Sequence, residues 1–231
     1  MLTLSVIGKF DKLYTFWYTI IAKWIGGIYM VKISLTNAKL GGKIPSVNLP
    51  AGLTCRADAP CQKGCYAKKG NFTYKKVKQS LENNLNTYLN NPKQYFNEIV
   101  NFLTDNDVTY KFFRWHSAGD IVNYDYLLGM VDVAKRCKKT KFLCFTKKFF
   151  FVNHYLKSNE LPKNLKIVFS AWDKTFEVLN PYNMPVTYVN FKDASKNADI
   201  PEFAIPCIGD CKTCKACWSL KPGQSVYFNQ H

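Results

Sequence analysis

Seven of the nine cysteines stand in two tight groups, and their spacing is that of a metal-ligand set. Cys55, Cys61 and Cys65 form C-x5-C-x3-C, and Cys207, Cys211, Cys214 and Cys217 form C-x3-C-x2-C-x2-C. Thiolates this close along a chain can fold back onto one soft metal centre. Three thiolates leave a coordination position open and four close it, so the pair points to one reactive and one supporting centre. Zinc ribbons usually separate two short knuckles by a long loop. Here four sulfurs come from one eleven-residue loop, the dense spacing of iron–sulfur ferredoxin loops. The expectation is one or two iron–sulfur clusters of the 4Fe-4S type, with zinc as the alternative. An odd cysteine total and a lysine-rich chain without a clear cleavage motif argue against a secreted disulfide framework. Cys144, in the apolar run 142–145, reads as a buried strand residue, and Cys137 as the end of a helix.

Composition bounds the rest. At 231 residues, with 47% hydrophobic and 16% aromatic side chains, the chain can bury a sizeable core and is not a disordered polymer. The formal net charge of +16 raises nucleic acid or another phosphate-bearing partner, bound through a basic surface. The same excess is also what a lysine- and asparagine-rich composition gives as ordinary solvated surface, since only Arg56, Arg114 and Arg136 are arginines. Residues 14–30 read YTFWYTIIAKWIGGIYM, short of the roughly 20 apolar residues a membrane span needs. Lys23 interrupts the stretch and Gly26-Gly27 weakens it as a helix. The organisation expected is an apolar N-terminal segment, 1–30, upstream of a natural start at Met30, and a single α/β metal-cluster domain, 31–231. A membrane partner is not expected; oligomeric state and substrate are not specified.

Stepping along the chain, strands are predicted at 44–49, 108–115, 141–145, 165–170, 185–191 and 224–228 from β-branched and aromatic content. Helices are predicted over 77–89, after the Asn91-Pro92 start signal, over 124–135 and 149–156, and briefly at 175–179. This alternation predicts a parallel sheet covered by helices. The chain is short for an eight-fold barrel of about 250 residues, so the fold class expected is α/β, a partial parallel (βα) barrel of TIM-like kind with cysteine-rich loops.

In such a fold, function gathers at the C-terminal ends of the strands. There the first strand runs into Cys55, Cys61 and Cys65, the second ends in Ser117-Ala118-Gly119-Asp120, the third in Thr146-Lys147-Lys148 and the fourth in Ser170-Ala171-Trp172-Asp173. Gly119-Asp120 could equally cap the helix that follows, the two lysines could be solvated loop charges, and His116 reads as a hydrogen-bonded rim residue. A last strand closing toward the first would bring the two cysteine groups together.

The stretch from Leu40 to His231 resembles the phage gene product 88 family of small bacteriophage proteins. The matching residues are Asn48-Leu49-Pro50, Cys55, Cys61, Cys65-Tyr66-Ala67, Ser117-Ala118-Gly119-Asp120, Phe145-Thr146-Lys147, and Cys207, Cys211, Cys214 and Cys217-Trp218. The middle of the chain is also similar to a phage group with radical S-adenosylmethionine (SAM) character. That resemblance implies a radical-SAM-like partial barrel in which the three-cysteine loop holds a four-iron cluster whose open iron chelates SAM. The spacing departs from the usual C-x3-C-x2-C, and Tyr66 follows the third cysteine where an aromatic usually precedes it. Ala118, Gly119 and Asp120 stand in the place of the SAM-binding turn, with Tyr66 a fourth cofactor-binding candidate. Asp120, Lys147 and Ser170 are the catalytic candidates. The function expected is an iron–sulfur, radical-SAM-like or redox enzyme in the cytoplasm of the infected host. The alternative is a non-catalytic, metal-stapled protein binding nucleic acid or a host factor.

Overall fold

Apolar residues on both sides of the central strands decide how the sheet is covered. The computed structural model describes residues 30–35, 37, 40–105 and 108–230. Its strands are β1 (Ile33–Ser34), β2 (Ser46–Val47), β3 (Phe112–Trp115), β4 (Lys141–Thr146), β5 (Leu165–Ser170), β6 (Val186–Asn190), β7 (Ile205–Pro206) and β8 (Ser225–Asn229). The helices are α1 (Lys75–Asn90), α2 (Pro92–Thr104), α3 (Tyr124–Arg136), α4 (Phe149–Leu156) and the single turn α5 (Cys211–Cys214). They build one mixed, mostly parallel sheet in the order β1-β2-β3-β4-β5-β6-β8-β7. Only β1 runs antiparallel to its neighbour.

Register separates the two faces. Trp115 lies beside Cys144, and Cys144 beside Ile167. With Phe113, Phe142 and Phe169 they form the face packed beneath the helices, and all six are fully buried. Arg114, Leu143 and Lys166 are the corresponding residues of the opposite face. Leu143, Val168 and Val226 on that face are covered by Leu40, Ile44, Trp218 and Leu220. Burial from both sides explains why the strands read as apolar runs rather than alternating ones.

The start of α2 is as the sequence predicts, with Asn91 accepting from the Gln94 amide and Pro92 in the first turn. In α1 the apolar residues at 77, 81, 85 and 89 do not all face the core. A spacing of four gains about 40° per step on a helix of 3.6 residues per turn, so the buried stripe passes through Leu81, Asn84, Leu85 and Tyr88 and leaves Leu89 exposed. The helix expected at 175–179 is absent. The Asp173 carboxylate accepts from both the Thr175 amide (3.0 Å) and its hydroxyl (2.6 Å) and holds the segment as a turn. The final strand β8 inserts between β6 and β7 rather than closing onto the first, so the described strands form an open sheet. The expectations for residues 1–29 lie outside the described residues. No helix among the described residues is long and apolar enough to cross a membrane.

Helices α2 and α3 meet through Gly129, where a Cβ would lie 2.0–2.5 Å from the Phe96 ring. That ring is wedged edge-on among Tyr88, Tyr95, Trp115 and Tyr126, so it cannot swing away. Gly129→Ala is expected to destabilise the chain by about 1–3 kcal/mol, lowering the melting temperature by roughly 2–4 °C per kcal/mol in a scanning calorimeter.

Candidate functional site

The polar ends of β2, β3 and β4 are tied into one junction. The buried Asn48 side-chain oxygen accepts from the amides of Ser117 (2.7 Å) and Ala118 (3.3 Å), and the Leu49 amide donates back to the Ala118 carbonyl at 3.0 Å. Gly119 follows with φ +84°, and a Cβ there would meet Leu49 and Thr54 at 2.7 Å. Glycine is required on both counts. Asp120 then turns inward: Oδ1 accepts from the Thr146 hydroxyl (2.6 Å) and the Ile121 amide (2.7 Å), and Oδ2 from the Lys147 amide (3.0 Å). Its own amide donates to the Thr54 hydroxyl. Asp120 therefore does not cap α3; that cap is Asn123, which accepts from the Tyr126 amide. Burial nonetheless outweighs the three donors and pushes the Asp120 carboxyl above the usual range.

His116, just before the junction, has φ +55° and is buried. One ring nitrogen lies 3.0 Å from the Tyr126 hydroxyl. Burial, with Arg114 and Lys148 nearby, depresses its pKa to about 3, so it is a neutral hydrogen-bonding group. Tyr66 lays a 60% exposed ring over the rim while its hydroxyl donates to the Ser117 carbonyl. Ser170 sits apart, 3.4 Å from the Thr187 hydroxyl on the face of the sheet opposite the helices. The structure thus joins Tyr66, Ala118, Gly119, Asp120 and the Lys147 backbone, and leaves Ser170 outside the junction.

The cysteines correct the main expectation. All nine are free thiols. Cys55 accepts from the Gly52 amide at 3.4 Å, and Cys61 lies in the tight turn Pro60–Gly64. Among the described residues no group of three or more Cys, His, Asp or Glu side chains is arranged to hold a metal ion. Burial raises the thiols of Cys55 and Cys61, and raises Cys217 to about 12. Neighbouring thiols push Cys55 and Cys217 further in the same direction. This arrangement overturns the expected iron–sulfur (4Fe-4S) clusters on Cys55, Cys61, Cys65, Cys207, Cys211, Cys214 and Cys217. The zinc alternative falls with them, as do open-iron chelation of SAM, the radical-SAM-like redox enzyme and the metal-stapled binding protein.

What the rim does present is an open cleft of about 810 Å³ beyond the end of β4. Arg56, Lys147, Lys148, Phe149, Phe150 and Phe176 are among its walls. Cations and rings are interleaved. The Arg56 guanidinium stands 4.9 Å from the Phe176 ring centre, the Lys147 ammonium 5.6 Å from Trp172 and the Lys148 ammonium 5.8 Å from Phe151. Lys148 also donates to the Val122 carbonyl at 3.0 Å. Two carboxylates share the lining, Asp58, which is bonded to Arg56 at 2.6 Å, and Glu177. The aromatic members were not singled out from the sequence, although the run Lys-Lys-Phe-Phe-Phe at 147–151 carries the signal.

These features define a mostly parallel α/β protein with a glycine–aspartate junction at the carboxyl ends of its strands. The family model described as Gene product 88 matches residues 30–220, and the chain belongs to the gene product 88 family. No curated protein and no solved structure matches it.

The two buried ionisable groups predict opposite pH slopes. His116 has a folded pKa far below its unfolded 6.5, so its contribution is full above pH 6.5 and is lost as pH falls toward 3. Asp120 has a raised folded pKa, so its contribution is present below the unfolded 3.8 and is lost as pH rises through the folded value. In urea titrations across the acid range, His116→Asn is expected to flatten the loss of stability on acidification and Asp120→Asn to steepen it. Asp120→Ala leaves three donors unpaired and is expected to cost at least about 3 kcal/mol at neutral pH.

Proposed function

We propose that the chain binds single-stranded nucleic acid in the rim cleft, in the cytoplasm of the infected host. The observation that carries this reading is the interleaving of Arg56, Lys147 and Lys148 with Phe149, Phe150, Phe151, Trp172 and Phe176. Proteins that hold single strands pair a positive groove for the backbone with ring faces for the bases. Phe150 is 71% exposed at the cleft and offers such a face. The net charge of +16 supplies long-range attraction. The exposed ring among the cations suits splayed single-stranded bases better than a duplex, whose bases are stacked on one another.

In this reading Lys147 contacts the strand, and Asp120 positions it by holding its backbone amide. Gly119 and Ala118 let the β3 end approach β2 closely enough for that contact. Tyr66 forms the neighbouring wall of the rim, and Ser170 lines the opposite face of the sheet. We read the open sheet as a partial (βα) barrel of TIM-like kind. Trp218 and Leu220, packed inside the face opposite the helices, support that reading.

The test is fluorescence anisotropy with a labelled single-stranded oligonucleotide over a range of salt concentrations. Affinity is expected to fall steeply with salt, and Lys147→Gln to reduce the magnitude of the log–log slope by about 1. Phe150→Ala is expected to cost about 1–3 kcal/mol of binding, with a matched duplex bound more weakly than the single strand. Equal binding of single strand, duplex and an unrelated polyanion, unmoved by either substitution, would show that only the diffuse surface charge is at work.

A further inference from the structure

The chain contains three arginines among 32 basic residues. Two have carboxylate partners: Arg56 with Asp58 at 2.6 Å and Arg136 with Asp132 at 3.1 Å. Arg114 has none among the described residues, although it is the one built into the sheet. It sits half-buried on the face of β3 opposite the helices, next to the Ser117–Asp120 junction. Its guanidinium lies over the Phe145 ring at 4.1 Å, which fixes its plane. Its Nε donates to the Trp115 carbonyl at 3.1 Å, which fixes its rotation within that plane. Its two terminal amino groups have no carboxylate partner among the described residues.

The surroundings leave this charge uncompensated. Its field reaches both the Tyr66 phenol and the Cys217 thiol and favours the ionised form of each. Lys215, 5.3 Å from the Phe112 ring centre, adds a second cation on the same stretch of β3. A partly desolvated cation without a counter-charge is costly, and an arriving anion relieves that cost. A planar fork held in one orientation matches the two oxygens of a carboxylate or phosphate, where an ammonium would offer only a point charge.

We infer that Arg114 forms an oxyanion-binding site on the face of the sheet opposite the helices, flanked by Tyr66, Phe145 and Cys217, that takes a carboxylate or a phosphate monoester in a bidentate grip. None of Arg114, Tyr66, Phe145 and Cys217 is among the residues lining the rim cleft, although Tyr66 stands beside it.

Three arginines make a direct test simple. The Nε–H resonances of the full chain are followed by proton–nitrogen correlation while phenyl phosphate or, separately, benzoate is added at constant ionic strength. Arg114→Lys identifies the Arg114 peak. The expected result is a saturable shift of that peak with one or both probes, and a rise in melting temperature with the same probe that is missing in Arg114→Gln. Arg114→Gln is expected to weaken binding tenfold or more, about the worth of one charged hydrogen bond, and Arg114→Lys by a smaller factor. Response to phenyl phosphate alone assigns a phosphate ligand, and response to benzoate alone a carboxylate. No saturable shift up to about 10 mM, or parallel drift of all three arginine peaks, overturns the site. Lys147→Gln and Phe150→Ala should leave the Arg114 shift unchanged, so failure of the rim cleft and failure of this site are separately visible.

Discussion

The structure turns on how closely the end of β3 approaches the end of β2. At Gly119 the two backbones leave no room for a Cβ, and that contact sets where Asp120 points. Its carboxylate then collects a hydroxyl and two amides from the β3 and β4 ends. Asn48 performs the matching task from the β2 side and is held in turn by Asn84 of α1, which donates to the Asn48 carbonyl at 2.9 Å. A buried polar network of this kind is stabilising only while every member is satisfied. The four chain segments are therefore fixed relative to one another as a set, and the side chains of the rim inherit that placement.

Much of this was readable from residue order, and the reasons for the failures are physical. Strand and helix existence followed from apolar runs and capping signals, as at Asn91-Pro92. Edge strands β1 and β7, two residues each, carry too little pattern to be recognised. The 175–179 segment has helical-looking spacing, but one aspartate side chain competes successfully for its backbone. Ser-Ala-Gly-Asp was legible as a site because glycine and aspartate end an apolar strand, yet its internal bonding was not. Which donor an aspartate meets depends on a strand packed beside it, and Thr146 is 26 residues away. The cysteine spacing is legible, but the metal site it suggests is not formed among the described residues. Spacing says that sulfurs can come together; the fold decides whether they do.

That distinction bears on the electrostatic character of the rim. Ionised thiols at Cys55, Cys61 and Cys217 would place negative charge near Lys148, Lys147 and Arg114. Burial instead holds Cys55, Cys61 and Cys217 as neutral thiols. A neutral thiol beside a cation leaves that positive charge uncancelled.

The distribution of ion pairs points the same way. The described residues form three side-chain ion pairs, and all join partners close in sequence. None bridges the strand ends, so the +16 excess is not drawn into the architecture. Self-repulsion from such an excess opposes compaction, and a large aromatic core offsets it. Trp115 and Tyr126 pack edge to face at the centre of the ring cluster under the sheet. The chain thus separates its two tasks in space. Apolar and aromatic burial holds the fold together, while the cations at the strand ends remain without carboxylates of their own to bind. Arg56 is the exception that shows the alternative, since its fork is already closed by Asp58. The difference between Arg56 and Arg114 is therefore one of available hydrogen-bonding capacity: the Arg56 fork is taken up by Asp58, whereas Arg114 donates through Nε to a backbone carbonyl.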